Sequence, residues 1–97
     1  MTNKQLAKIY KALSNENRLE IFLNILKGNN KSLDDGCNCI ISEVINTLGI
    51  GAPTISHHLK ELSNSGLIET DKDGKYLIAR VNKELLEELK NVFDLKQ

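Results

Sequence analysis

Two pairs of residues in this chain have the types that do chemistry: His57 and His58, side by side in "TISHHLKEL", and Cys37 and Cys39, two apart in "DGCNC". They are the chain's only histidines and cysteines. Adjacent residues of a helix point about 100° apart, so the two imidazoles cannot converge on one ion if 52–65 is helical. Paired helical ligands need i,i+3 or i,i+4 spacing, as in H-E-x-x-H. No glycine-framed serine and no phosphate-cradling glycine loop accompanies them, so an enzyme is not expected. The cysteines are too few and too close for a disulfide framework, which agrees with a reducing, cytoplasmic setting. In a segment that is not yet helical, thiols two apart can both bind a soft ion, and a nearby helix N-terminus favours the thiolate. Two thiolates leave a trigonal or tetrahedral ion short of ligands, so Asp34, Asp35 or a second copy of the chain must complete the shell. Three readings stay open: a thiophilic metal or metalloid bound at Cys37 and Cys39, a redox-sensitive pair, or two ordinary cysteines and no cofactor.

The elements that must position these residues are legible from hydrophobic period. Leu6, Ile9, Tyr10 and Leu13 recur at three- and four-residue steps, which predicts a helix over 3–13. Ser14 or Asn15 can cap a second helix, about Glu16 to Lys27. Its Leu19, Ile21, Phe22, Leu23, Ile25 and Leu26 cover most of the circumference and mark it as the most buried helix. "GNNKSLDDGCNC" reads as a polar loop. Ile40, Ile41, Val44, Ile45 and Leu48 then share a face of a third helix that stops at Gly49. Pro53 suits the first turn of a fourth, in which Ile55, Leu59 and Leu62 face inward until Gly66 supplies a stop. Two short helices joined by a tight Gly-containing turn make a helix-turn-helix, here about 39–66.

After Gly66 the period becomes two. "LIETD" and "KYLIARV" are strand-like runs joined by "KDGK", whose Asp-Gly step signals a hairpin. Asn82 can cap a last helix over 83–95. The expected fold is mainly α with a small β-hairpin (α+β), a winged helix-turn-helix of order α-α-α-α-β-β-α. One domain, 1–97, is expected, with the wing at about 67–82 and the terminal helices 3–13 and 83–95 serving dimerisation. No apolar run is long enough to cross a bilayer, and "MTNKQLAKIY" lacks the pattern of a signal peptide, so no membrane partner is expected.

Thirteen basic residues balance thirteen acidic ones, which argues mildly against nucleic acid. The distribution softens this: residues 1–31 hold six basic residues against two acidic, whereas 32–51 hold three acidic and none basic. The second helix of a helix-turn-helix enters the major groove of duplex DNA, and its first turns meet base edges. On that helix His58 borders the apolar face, three residues after Ile55 and four before Leu62, and is expected to be half-buried and bonded to backbone. His57 lies on the polar side with Thr54, Lys60 and Glu61, either simply solvated or reaching DNA. Ala52 and Pro53 allow close approach, Thr54 and Ser56 can donate to phosphate or base, and Lys60 adds a charge one turn later. Lys72 and Lys75 mark the hairpin tip that would lie on flanking backbone, with Asp71 and Asp73 diluting the charge.

The blocks "ALSNENRLEIFLNIL", "LGIGAPTISHHLKELSNSGLIE" and "DGKYLIARVN" resemble, in order, the signature blocks of the ArsR/SmtB family of winged-helix repressors. The resemblance spans Ala12 to Asn82, and "SHHLKEL…SGLI" is its most specific part. It implies a homodimer that represses transcription from operator DNA. Dimerisation has its own rationale, because one short helix reads too few base pairs, whereas two copies about one turn apart, roughly 34 Å, square the discrimination and call for a two-fold symmetric operator. Leu85, Leu86, Leu89, Val92 and Phe93, with Leu6, Ile9 and Tyr10, are the candidate interface; the alternative is that they complete the monomer core. Arsenic- and cadmium-type members of the family carry Cys-x-Cys at the start of the third helix. Counted back from Leu48-Gly49, those two positions hold Ile40 and Ser42 here, three residues after Cys37 and Cys39, so the resemblance does not transfer that site. The family's other common site, on the last helix, uses histidine, and "ELLEELKNVFDLKQ" has none. A soft-metal inducer, a repressor with no metal response, and a winged-helix module for protein contact are the readings left to separate.

Overall fold

In the computed structural model of the chain, which describes residues 1–31, 39–40, 49, 51–73 and 76–94, helix α1 spans Asn3–Leu13. Thr2 starts it: its Oγ1 accepts from the Gln5 amide at 3.1 Å, satisfying one of the free donors of the first turn. Asn15, not Ser14, caps the next helix, its Oδ1 accepting from the Arg18 amide at 3.0 Å. Helix α2, Glu16–Lys31, runs one turn past the expected end at Lys27. Once a helix is nucleated each further residue adds a hydrogen bond, and Gly28 costs it only about 1 kcal/mol. Ile21, Phe22 and Ile25 are buried, but Leu19 and Leu23 are 37% and 44% exposed. Helix α2 is therefore buried along one stripe, not around most of its circumference.

The segment expected to be loop and then helix contributes a strand instead. β1, Cys39–Ile40, pairs antiparallel with the second hairpin strand, Cys39 opposite Ala79 and Ile40 opposite Ile78. Ile40 thus leaves the expected third helix; residues 41–48 lie outside the described residues, and Gly49 has φ +64°. The physical reason is an edge: a two-stranded hairpin leaves a row of unpaired backbone groups that a neighbouring segment can satisfy.

Helix α3, Ala52–Asn64, begins after Gly51 with Pro53 in its first turn. It ends in a Schellman motif. The Leu67 amide donates to the Leu62 carbonyl at 3.2 Å and the Gly66 amide to Ser63 at 3.0 Å, while Gly66 sits at φ +88°. This leads into β2, Ile68–Asp73, and β3, Tyr76–Val81, paired from Ile68↔Val81 to Asp73↔Tyr76. The ladder therefore takes in Lys72 and Asp73, which were expected in a four-residue connection; only positions 74 and 75 remain between the strands, and Lys75 lies outside the described residues. The sheet order is β1-β3-β2. Asn82 Oδ1 accepts from the Leu85 amide at 3.1 Å and starts α4, Lys83–Val92, which ends three residues before the expected 95.

One core joins these elements: Ile9 and Ala12 of α1, the α2 stripe, Ile55, Leu59 and Leu62 of α3, Leu67, Ile68, Ala79, Val81 and Leu85. Two residues offered for dimerisation belong to it, since Ile9 is 0% and Leu85 7% exposed. They lie on the inward stripes of α1 and α4 and are corrected from interface to core. Among the described residues no helix is long and apolar enough to cross a membrane.

Candidate nucleic-acid interface

The two histidines of α3 have opposite environments. His58 is 6% exposed, and its Nδ1 accepts from Arg18 Nε at 3.3 Å. The expected backbone partner is replaced by a guanidinium from α2. Accepting at Nδ1 requires a neutral ring with its proton on Nε2. Burial holds the His58 pKa below the ordinary 6.5, and the charges of Arg18 and His57 push the same way. His57 is exposed; its ring centroid lies 5.9 Å from that of His58, with the planes tilted by 50°. His58 Nδ1 is taken up by Arg18 rather than by a site shared with His57.

The outward flank of α3 is the candidate contact surface. Pro53, Thr54, Ser56, His57 and Lys60 are all exposed, while Ile55, His58, Leu59 and Leu62 anchor the opposite side. Ala52 is the first residue of the helix, which places its backbone at the same end. Along this flank runs a feature that the sequence reading missed, a cleft of about 250 Å³ between α3 and the hairpin. Ser56, Lys60, Ser63 and Asn64 line one wall, and Thr70 and Leu77 the other. Ser56, Lys60 and Ser63 follow the i, i+4, i+7 spacing of one helix face, so that wall was legible in principle; the opposing Thr70 needs the tertiary fold.

The wing is less acidic than its composition suggests. Asp71 Oδ2 lies 3.6 Å from Arg80 Nη2 across the hairpin, and its Oδ1 accepts from the Lys72 amide at 2.9 Å. Lys72 is exposed on β2. By the terminal helices, Tyr10, Val92 and Phe93 stand 42%, 43% and 62% exposed. The Tyr10 and Phe93 rings pack at 6.0 Å with a 59° tilt, the offset geometry aromatic quadrupoles prefer. Leu6, Leu86 and Leu89, on the same two helices, are half-buried. Six of the eight interface candidates thus keep exposed or half-buried surface, on the two terminal helices.

For a metal the described residues bring together no group of three or more His, Cys, Asp or Glu. Cys37 and the side chain of Cys39 lie outside the described residues; the Cys39 backbone is in β1.

Residues 15–70 match the sequence model of the family described as "Bacterial regulatory protein, arsR family". The chain belongs to the ArsR family. It is 33% identical over 95 residues to the arsenical resistance operon repressor of Staphylococcus xylosus, covering 98% of this chain and 83% of that protein. It is 36% identical over 66 residues to the cadmium resistance transcriptional regulatory protein CadC of Listeria innocua, covering 68% of this chain and 49% of that protein. The ArsR-like transcriptional regulator from Rhodococcus sp. RHA1 superposes with a TM-score of 0.72 at 26% identity, over 92% of this chain and 76% of its own. A solution structure from Mycobacterium bovis, described as a homodimeric winged helix-turn-helix DNA-binding domain of a possible ArsR-family regulator, gives 0.70 at 25% identity, over 92% and 74%. This ArsR-family chain therefore has the winged helix-turn-helix fold.

Proposed function

We propose that the chain is a sequence-specific DNA-binding repressor, one winged-helix domain over 1–97 acting as a cytoplasmic homodimer and not an enzyme. The observation that carries this reading is the split of α3: an anchored inner side and an outward flank of Pro53, Thr54, Ser56, His57 and Lys60. With Ala52 and Pro53 leading, that flank enters the major groove, and Thr54, Ser56 and His57 meet base edges or phosphate. A strand of backbone separates the major groove from the neighbouring minor groove. With α3 in one and the wing over the other, that strand must cross the cleft between them, where Lys60, Ser63 and Thr70 offer a charge and two hydroxyls. Lys72, with Lys75, meets the flanking phosphates. Tyr10, Val92 and Phe93, with Leu6, Leu86 and Leu89, form the dimer contact, which pairs two copies on a two-fold symmetric operator.

The inducer in this scheme is a thiophilic metal or metalloid ion. The relatives are named for arsenical and cadmium resistance, and such soft ions suit thiolate donors such as Cys37 and Cys39. Cys39 pairs with Ala79 in the sheet, so a clamp on the cysteines would act on the wing as well as on the helix-turn-helix. An ion that prefers the DNA-incompetent conformation by about 1–3 kcal/mol weakens operator binding roughly 5- to 150-fold.

Salt dependence tests the reading. A dimer making about 6–10 phosphate contacts loses roughly 10³–10⁵ in affinity between 50 and 200 mM salt. Salt-insensitive binding, or none at low salt, would overturn it in favour of a protein-contact module.

A further inference from the structure

Arg18 does two things at once. From the first turn of α2 its Nη1 donates to the Ala12 carbonyl at 3.3 Å, and its Nε donates to His58 Nδ1 at 3.3 Å. The Ala12 carbonyl is in the last turn of α1, where carbonyls have no partner within their own helix and a cation is favoured. His58 is in the middle of α3, directly after the exposed Ser56 and His57. One guanidinium therefore ties together three helices. Helix α1 carries Tyr10, whose ring meets Phe93 in the exposed terminal patch, and α3 carries the outward flank. The orientation of one helix against the other decides how far apart two copies of α3 stand when two chains pair through that patch.

Resting on the DNA-binding reading above, we propose that Arg18 is a positioning residue for DNA recognition: through the Ala12 carbonyl and His58 it fixes α3 against α1, and so sets the spacing of the two recognition helices. Arg18 touches no DNA in this arrangement. A planar guanidinium holds several N–H groups in fixed directions, and a lysine ammonium at the same position keeps the charge but cannot hold both partners in that geometry. The acceptor must stay uncharged. The groups whose charge acts on the His58 ring are Arg18 from α2 and His57 on its own helix, while α1 contributes to the tie only the neutral carbonyl of Ala12. Protonation of His58 removes the acceptor and sets a second cation beside Arg18, which opens the tie.

The test uses folded dimers of wild type, Arg18→Lys and His58→Gln on two duplexes. One is recovered by wild-type selection from random DNA, and the other is an unselected duplex of the same length. Arg18→Lys is expected to lose on the order of tenfold on the selected duplex, the scale of one hydrogen bond to a charged group. Its affinity for the unselected duplex should hold, because the net charge is unchanged. His58→Gln keeps an oxygen that can accept from Arg18 and should stay within about threefold of wild type, consistent with an acceptor role. Acidification changes other charges of protein and DNA as well, so the readout is the difference between proteins: on acidification wild type should weaken relative to His58→Gln. Ring-nitrogen NMR of DNA-free protein reads the tie separately, with Nδ1 as acceptor in wild type and the His58 titration moving to higher pH in Arg18→Lys. Equal binding of the selected duplex by wild type and Arg18→Lys overturns the proposal, as does an equal loss on both duplexes, which is what general destabilisation gives. Wild type that binds neither duplex at low salt overturns the DNA-binding reading itself, whatever the NMR shows.

Discussion

Replacing the neighbouring histidines one at a time should give opposite phenotypes. His58→Ala removes the acceptor that Arg18 Nε meets at 3.3 Å and most of a side chain that is 6% exposed. A hydrogen bond to a charged group contributes about 1.5–3 kcal/mol, and the lost ring burial adds about 1 kcal/mol. The total, roughly 2.5–4 kcal/mol, corresponds to a melting temperature lower by about 10–30 °C for a domain of this size. His57→Ala removes an exposed side chain and should change stability by no more than about 0.5 kcal/mol, while weakening operator binding. The comparison must be made at one protein concentration, because a dimer's melting depends on it. It has a pH arm as well. Burial lowers the folded-state pKa of His58 below the ordinary 6.5, so between the two values the unfolded chain binds more protons. This group's contribution is then fully present above about pH 6.5 and is lost as pH falls through the folded value. Thermal unfolding followed by circular dichroism from neutral to mildly acidic pH should show that loss in wild type and not in His58→Ala. A His58→Ala protein that melts within a few degrees of wild type, or a His57→Ala protein that melts as low, would refute the assignment of the two faces.

Other substitutions separate backbone, core and interface. Gly66→Ala places a Cβ 3.6 Å from Leu85 Cδ2, an ordinary contact, so its cost is that of a left-handed backbone at φ +88°, about 1–2 kcal/mol; an unchanged melting temperature would contradict the cap. Leu85→Ala should cost about 2–5 kcal/mol of stability, whereas Phe93→Ala should leave the subunit folded and weaken self-association in sedimentation. If Leu85→Ala affected association alone, its place in the core would be wrong. Changing Cys37 and Cys39 together to Ser should leave metal-free DNA affinity intact and abolish release by cadmium or arsenite; identical release curves in wild type and variant would rule out the thiols.

The parts of the fold that were legible in the sequence are those that local chemistry dictates. Asn82 and Gly66 act at the ends of their helices whatever surrounds them, and the Ile55–Leu59–Leu62 spacing alone separates His57 from His58. The parts that were not legible depend on partners distant in sequence. Cys39 and Ile40 become a strand only because the open edge of β3 is beside them. Ile9 and Leu85 carry the same apolar character as Tyr10 and Phe93, and only packing decides which of them meet the core. The Arg18–His58 bond joins residues 40 apart in sequence, and no periodicity signals it. Likewise Ser63 and Thr70 reveal a cleft only when helix and hairpin stand side by side. At the candidate site the outward flank of α3 was visible in advance, and the second wall of the cleft and the tie behind it were not.

The central claim is that two copies of α3 enter neighbouring major grooves of one duplex. Selection of binding sites from random duplexes by the purified protein tests it most directly. The account predicts an enriched consensus with two-fold symmetry, its half-sites centred about one helical turn apart. Recovery of no consensus, or of a single asymmetric site, would contradict it.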